Sequence, residues 1–369
     1  MMDSTAKSRR IADALRSEIE NGKFDATRKL PSEHQLMRRF DVARETVRSA
    51  IKNLCERKLV EKRPGYGTFL AERASAMAAQ KFAVIVPDAW HPFYASICSG
   101  IDKGAKRNGW SVLQAAFGSG SLCERAVKAA EFAEMFSHEH VAGAFFQPLQ
   151  FLSDSEKYNR AILSSFDKAN IPVVLLDSDF VPPPQRSNYD LVGVDNTHIG
   201  YTLARHMIEA GARRIVYFSN PLPAPTSIKR GYGVGMAVTE AGLKWTRDNI
   251  LFADPADISA AKRFFGSKKR PDAIIAVNDI VALLLLNTLK KIGVKVPDDV
   301  LLSGVNGDAE SEKADPPITT VVQPCAQIGE MAVAAMLERL ARRDSPPREL
   351  YISCSITPRA STMRTKKRM

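Results

Sequence analysis

Residues 30–54 read LPSEHQLMRRFDVARETVRSAIKNL, and residues 59–70 read LVEKRPGYGTFL. Ser32, with Gln35 three positions on, forms a capping-box pattern that predicts a helix from there to about Phe40. Asp41 and Val42 leave room only for a tight turn. Over residues 43–57, Val47, Ala50, Ile51 and Leu54 share one face, so the next helix buries that stripe and turns Arg44, Glu45, Arg48 and Lys52 outward. Two helices joined so closely make a helix-turn-helix. Residues 59–62 and 68–70 then read as short strands around Arg63-Pro64-Gly65-Tyr66-Gly67, a glycine-rich tip.

Upstream, Ile11, Ala14, Leu15 and Ile19 recur at helical spacing over residues 6–20, and Asn21-Gly22 ends them. This first helix supplies the surface on which the apolar stripe of the third can lie. Arg44 and Arg48, at i and i+4, then project together, as the first residues of a helix lying in a major groove project toward base edges. The strand pair is a wing, and its glycines let the backbone approach phosphates closely.

The formal net charge of +11 is concentrated at the ends of the 369-residue chain. Residues 1–80 hold 17 Lys/Arg against 11 Asp/Glu, the tail from Arg364 adds four more positive charges, and the 283 residues between come to about +1. A basic domain on a nearly neutral body fits contact with a phosphate backbone. The length implies more than one core, and a hydrophobic content of 45% is enough to fill them. No apolar run approaches the roughly 20 residues of a membrane helix, and no signal-like apolar segment follows the N-terminus, so a soluble cytoplasmic protein is expected. Cys55, Cys98, Cys123, Cys325 and Cys354 are scattered and never spaced C-x-x-C, so they read as reduced thiols.

The string P-S-E-x-x-L, then F-x-V-x-R-x-T-V-R-x-A-I-x-x-L, then a wing with G-x-G-T, closely resembles the GntR family of winged-helix repressors over about 40 residues. The resemblance implies that Arg38, Arg44, Thr46 and Arg48 contact DNA, with Gly65 at the tip of the wing. Ala43 stands where that family often has Ser or Thr, and His34 where many members have a basic or polar residue.

Residues 71–80 are alanine-rich and lack a strong apolar period, which reads as a linker or a short connecting helix between a domain at 1–70 and a second at 81–363, with a basic tail at 364–369. In the second domain, residues 82–86, 110–115, 141–145, 172–176, 191–194, 214–218, 272–277, 300–303 and 319–322 read as strands. The stretches between most of them are long enough for crossover helices, so parallel sheets are expected. One series is expected to end near Phe180 and a second to start near Asp190, divided by the proline-rich VPPPQ, with the last strand and the helix after Pro324 crossing back. The fold class is therefore multidomain: a winged helix-turn-helix followed by a two-lobed α/β domain with parallel sheets and a cleft at the strands' carboxyl ends.

The segments FAVIVPDAWHPFYASICSGI, IPVVLLDSD, VGVDNTHIG, SIKRGYGVGMAVTEAGL, PDAIIAVNDIVALLLLNTLKKIGVKVPDDV and TTVVQPCAQIGEMAV resemble, in order and spacing, the LacI/GalR-type effector domain, itself similar to periplasmic sugar-binding proteins. A GntR-type reader on such a body resembles the arabinose-repressor subgroup. The resemblance implies an effector site built from His91, Phe93, Asp177, Asn196, Arg230, Asn278, Asn306 and Gln323, Phe93 as a stacking platform. It also implies a homodimer on a two-fold operator and a small effector, a monosaccharide first, with a sugar phosphate or a nucleobase as alternatives. Each residue also has a plainer role open to it: Phe93 in the core, Asp177 in a turn, Asn196 or Asn278 as a helix cap. Ser178 follows Asp177 where sugar binders often carry Arg, and Asn306 stands in place of a frequent Asp, so the cleft is less charged than the type.

A Rossmann-like enzyme is the rival from another class. The loop after the first strand is PDAWHPF rather than G-x-G-x-x-G, and Gly231, Gly233 and Gly235 follow no strand in the required unit. His138-Glu139-His140 lacks further metal-ligand spacing and reads as a solvated loop. No catalysis, cofactor or metal is expected.

Overall fold

A computed structural model describes residues 4–20, 23–24, 28–57, 59–63, 66–71, 80–88, 91–118, 121–139, 141–151, 154–266 and 270–364. The expectations for Gly65, for most of the 71–80 linker, for His140 and for the tail beyond Arg364 lie outside these residues.

The N-terminal unit holds α1 (Ser4–Glu20), α2 (Glu33–Phe40), α3 (Arg44–Glu56), β1 (Val60–Arg63) and β2 (Gly67–Leu70). The capping box forms: Ser32 Oγ accepts from the Gln35 amide at 3.3 Å, and Gln35 Oε1 accepts from the Ser32 amide at 2.8 Å. Asp41, in the left-handed region at φ 50°, closes α2 and turns the chain into α3. Leu15, Leu36, Val47, Ala50 and Leu54 are fully buried together. Each large aliphatic side chain there contributes about 1.5–3 kcal/mol of burial, which fixes the angle between the helices. The wing strands pair antiparallel from Val60 with Leu70 to Arg63 with Gly67.

The body begins with β3 (Lys81–Val86), α4 (Pro92–Arg107), β4 (Ser111–Ala116), α5 (Leu122–His138), β5 (Gly143–Phe146), α6 (Ser155–Lys168), β6 (Val173–Leu176) and β7 (Asp190–Val194). It continues with α7 (Asn196–Glu209), β8 (Ile215–Ser219), α8 (Pro225–Glu240), β9 (Ile250–Phe252), α9 (Ile258–Phe265), β10 (Ala273–Ala276) and α10 (Asp279–Lys291). The last elements are β11 (Leu301–Asn306), α11 (Ala309–Lys313), β12 (Thr319–Val322), α12 (Cys325–Ala341), β13 (Glu349–Ile352) and β14 (Ser355–Thr357). One sheet has the order β13-β7-β6-β5-β3-β4 and is parallel throughout. The other has the order β14-β12-β11-β10-β8-β9, with β14 antiparallel at its edge. The chain crosses between the lobes at Asp195, again between Val322 and Cys325, and finally between Ile352 and Ser355.

This corrects one expectation. The strand at 190–194 belongs to the first sheet, and the boundary falls at Asp195 rather than at the proline-rich loop. The buried Asp179 carboxylate accepts from the amides of Phe180, Val181 and Ser187, folding that loop back on itself. The chain therefore returns beside β6, where Val192 and Val194 share a core with Val174 and Leu176.

The glycine string also finds its place. Gly233 lies inside α8, and a Cβ there would stand 1.9 Å from the Thr197 carbonyl oxygen of α7; a Cβ at Gly200 of α7 would stand 2.0 Å from the Arg230 carbonyl. Gly233 and Gly200 let the two helices touch backbone to backbone, which fixes the helix that carries Arg230, while Gly231 and Gly235 make room for the Tyr217 and Trp245 rings.

Candidate functional site

A cleft of about 210 Å³ opens between the lobes. His91, Phe93, Asp177, Arg230, Asn278, Asn306 and Gln323 all line it, brought from both lobes by strand ends and the helices that follow them. His91 caps α4, accepting from the Phe93 amide at 3.3 Å, and Asn278 caps α10, accepting from the Val281 amide at 2.8 Å. Both are thus caps and lining residues at once. Asp177 and Asn306 hold left-handed backbone at φ 62° and 126°, a strain of the kind that functional sites retain.

Arg230 is nearly buried, its Nε donating to Asn196 Oδ1 at 2.7 Å and one terminal nitrogen donating to the Val277 carbonyl. Asn196 therefore differs from the expectation: it does not line the cleft but stands behind Arg230 and sets its direction. Across the cleft, burial pushes the Asp177 carboxyl up to about 6, against the opposing pull of the Arg230 guanidinium and a hydrogen bond from Gln147. Gln323 Nε2 donates to Asn306 Oδ1 at 2.9 Å. Buried Asp177 Oδ1, Gln323 Oε1, Gln150 Nε2 and Gln147 Oε1 have no hydrogen-bond partner among the described residues.

Tyr94, Gln150, Phe151, Asn220, Thr226 and Ser227 also line the cleft and were missed in the sequence. Thr226 and Ser227 precede Arg230 by four and three residues on α8, so helical spacing from Arg230 would have found them. A larger cavity of about 320 Å³ lies at the far edge of the first lobe. Its polar groups already pair, Arg339 with Asp190 at 2.8 Å and Tyr189 with Asp167 at 2.7 Å, so it lacks the orphaned atoms of the cleft. Among the described residues no cluster of three or more His, Cys, Asp or Glu could hold a metal ion, and all five cysteines are free thiols.

On the N-terminal unit, Arg38, Arg44 and Arg48 are exposed. Thr46 is not: it turns toward the core beside Val47 and Ala50 with 7% of its surface exposed, apart from the three arginines. Arg44 Nε and Arg48 Nε both donate to Glu33 Oε2, at 3.0 and 3.2 Å, and Lys62 Nζ of the wing donates to Glu33 Oε1 at 2.9 Å. Ala43, the residue before α3, gives its first turn no side-chain cap.

A winged helix-turn-helix with an outward arginine pair, followed by a two-lobed cleft domain, defines a ligand-responsive class of DNA-binding regulator. Residues 7–70 match the gntR family of bacterial regulatory proteins, and residues 204–362 match a periplasmic binding protein-like domain. The chain is a transcriptional regulator that joins a gntR-type reader to a periplasmic binding protein-like body. It is 26% identical over 328 residues to the HTH-type transcriptional repressor PurR of Mannheimia succiniciproducens, covering 87% of this chain and 90% of that one. It is 24% identical over 273 residues to the HTH-type transcriptional regulator CelR of Thermobifida fusca, covering 73% of this chain and 76% of that one. The fold is similar to that of a transcriptional regulator CelR–cellobiose complex, with TM-score 0.64 and 22% identity, covering 87% of this chain and 91% of that one. It is also similar to transcription regulator CcpA of Lactococcus lactis, with TM-score 0.65 and 21% identity, covering 77% of this chain and all of that one. No helix among the described residues is long and apolar enough to cross a membrane.

Proposed function

We propose that this regulator is a cytoplasmic repressor, acting as a homodimer on a two-fold operator, whose grip on DNA is set by a small uncharged effector rich in hydroxyl groups, a monosaccharide foremost. The orphaned polar atoms carry the ligand class. Asp177 Oδ1 and Gln323 Oε1 can only accept and Gln150 Nε2 can only donate, so a polyol that both donates and accepts satisfies all three. Left unpaired, each buried group costs about 1–3 kcal/mol. Phe93 offers an apolar face for ring C–H groups. At about 210 Å³ the cleft is smaller than the roughly 300–1,000 Å³ of drug-sized sites and suits a single sugar ring.

A sugar phosphate fits less well. Arg230 is the only Lys or Arg among the described residues lining the cleft, and its Nε and one terminal nitrogen are already bonded. A nucleobase is the second reading, favoured by the PurR-named relatives and by the side-chain amides of Gln150, Asn220 and Asn278, which match a base edge. On the DNA side, Arg38, Arg44 and Arg48 contact the operator, Arg44 and Arg48 at base edges. Effector closes the lobes, changes the spacing of the two readers in the dimer, and releases the operator.

A thermal-shift screen of pentoses, hexoses, their phosphates and nucleobases tests this reading. A ligand at about 100 times its Kd adds about 2.7 kcal/mol, or several degrees of Tm. A sugar is expected to give that shift and to weaken operator binding, and Arg230→Ala to abolish both effects. No shift from any class, with regulation intact in Arg230→Ala, would overturn the effector reading.

A further inference from the structure

Glu33 is the first residue of α2, yet its carboxylate gathers cations from two other elements: Arg44 and Arg48 from α3, and Lys62 from β1 of the wing. Both arginines are held through Nε on the same oxygen. A guanidinium gripped at Nε turns its two terminal nitrogens away from the grip, and that pair is the fork that matches O6 and N7 of a guanine. Glu45 touches one Arg48 terminal nitrogen only at 3.5 Å, the edge of hydrogen-bond distance. The shared carboxylate also offsets the repulsion between two like charges at i and i+4. Glu33 stays ionised: its carboxyl is lowered to about 2, by the hydrogen bond from Lys62 first and by those from Arg44 and Arg48.

Stability does not account for this cluster. The side chains of Arg44, Arg48 and Lys62 are 61%, 45% and 54% exposed, and pairs so open to solvent contribute little to folding. A carboxylate on a face that meets phosphates also lowers affinity for every sequence alike. Such a group is explained if it improves the discrimination between sequences.

We propose that Glu33 is the positioning residue of the DNA-reading face: it presents Arg44 and Arg48 end-on to base edges, ties the wing to them through Lys62, and lowers non-specific affinity. The proposal rests on the reading of these arginines as base contacts. The probes are a duplex enriched from a randomised pool by the full-length protein and a shuffled duplex of equal length and composition. Glu33→Gln is expected to raise affinity for the shuffled duplex about 3- to 10-fold and to steepen its salt dependence by roughly 0.9 for each cation released. The ratio of selected to shuffled affinity is expected to fall about tenfold. Glu33→Asp, which keeps the charge but is one methylene shorter, restores the shuffled affinity and not the ratio.

An unchanged ratio in Glu33→Gln overturns the proposal, as does an equal loss on both duplexes with a lowered Tm, the mark of a purely structural role. Should Glu33→Gln fail to fold, Lys62→Met leaves the helices untouched and must still lower the ratio; no change there overturns the proposal as well. Arg44→Ala serves as the separate control: selected-duplex binding that survives it sinks the base-contact reading itself.

Discussion

At the residue scale, Asp177 joins two demands, an unpartnered acceptor and a carboxyl raised to about 6 by burial. In the unfolded chain it titrates near 3.8. Between those values the folded protein binds more protons than the unfolded one, so this group's contribution is fully present below about pH 4 and is lost as pH rises through 6. The span is on the order of 2–3 kcal/mol. A ligand that donates hydrogen bonds to Asp177 favours the ionised form, so its affinity moves the other way and weakens as pH falls below 6. Tm measured from pH 4 to 7 should therefore show a declining component in the ligand-free protein that Asp177→Asn flattens, while the ligand-induced shift shrinks on acidification. Identical profiles in the two proteins would assign the titration to another group. Asn196 shows why such roles escape a sequence: nothing in DNTHIG says whether its amide lines the cleft or, as here, bonds the arginine that lines it.

At the element scale, Ser32 and Ser121 cap α2 and α5 with φ near −60° and ψ near 155°, and each accepts an amide hydrogen bond. Ala43 precedes α3 with φ −66° and ψ 154°, the same geometry without the hydroxyl. Ala43→Ser should therefore add about 0.5–1 kcal/mol, a few degrees in the unfolding of the N-terminal unit by calorimetry. No gain would mean that the first turn of α3 is already satisfied. The reader was legible because its signals are local: a capping box, an apolar stripe at helical spacing and two glycines in the wing all lie within a few residues of what they determine. The strand at 319–322 was legible for the same reason, its run of β-branched residues. The short edge strands β9, β13 and β14 were not, because three or four half-buried residues give too little period to read. The allocation of β7 to the first sheet was hidden because it depends on how Asp179 folds the loop before it, not on any pattern in the strand.

At the scale of the whole molecule, the two lobes meet in more than the cleft and the crossovers. Lys229 of α8, in the second lobe, reaches Glu349 at 3.7 Å and the Tyr351 hydroxyl at 3.3 Å, both on β13 of the first lobe. It lies next to Arg230 in the chain, so a contact that fixes it also fixes where Arg230 stands relative to Asp177. A partly exposed ion pair contributes about 0–1 kcal/mol, which is small for folding but enough to shift an equilibrium between open and closed lobes up to about 5-fold. Apparent ligand affinity scales with the population of the competent arrangement, so Lys229→Met should weaken effector binding by about 2- to 5-fold without a matching loss of Tm. Salt supplies the second reading, because it screens a partly exposed pair, though less than a fully open one, and has little hold on hydrogen bonds inside the cleft. Calorimetric titration at low and high salt should bring the wild-type affinity down toward that of Lys229→Met while the variant stays nearly constant. Equal affinities at low salt would mean that the lobes hold their closed arrangement by the helix contacts and crossovers alone.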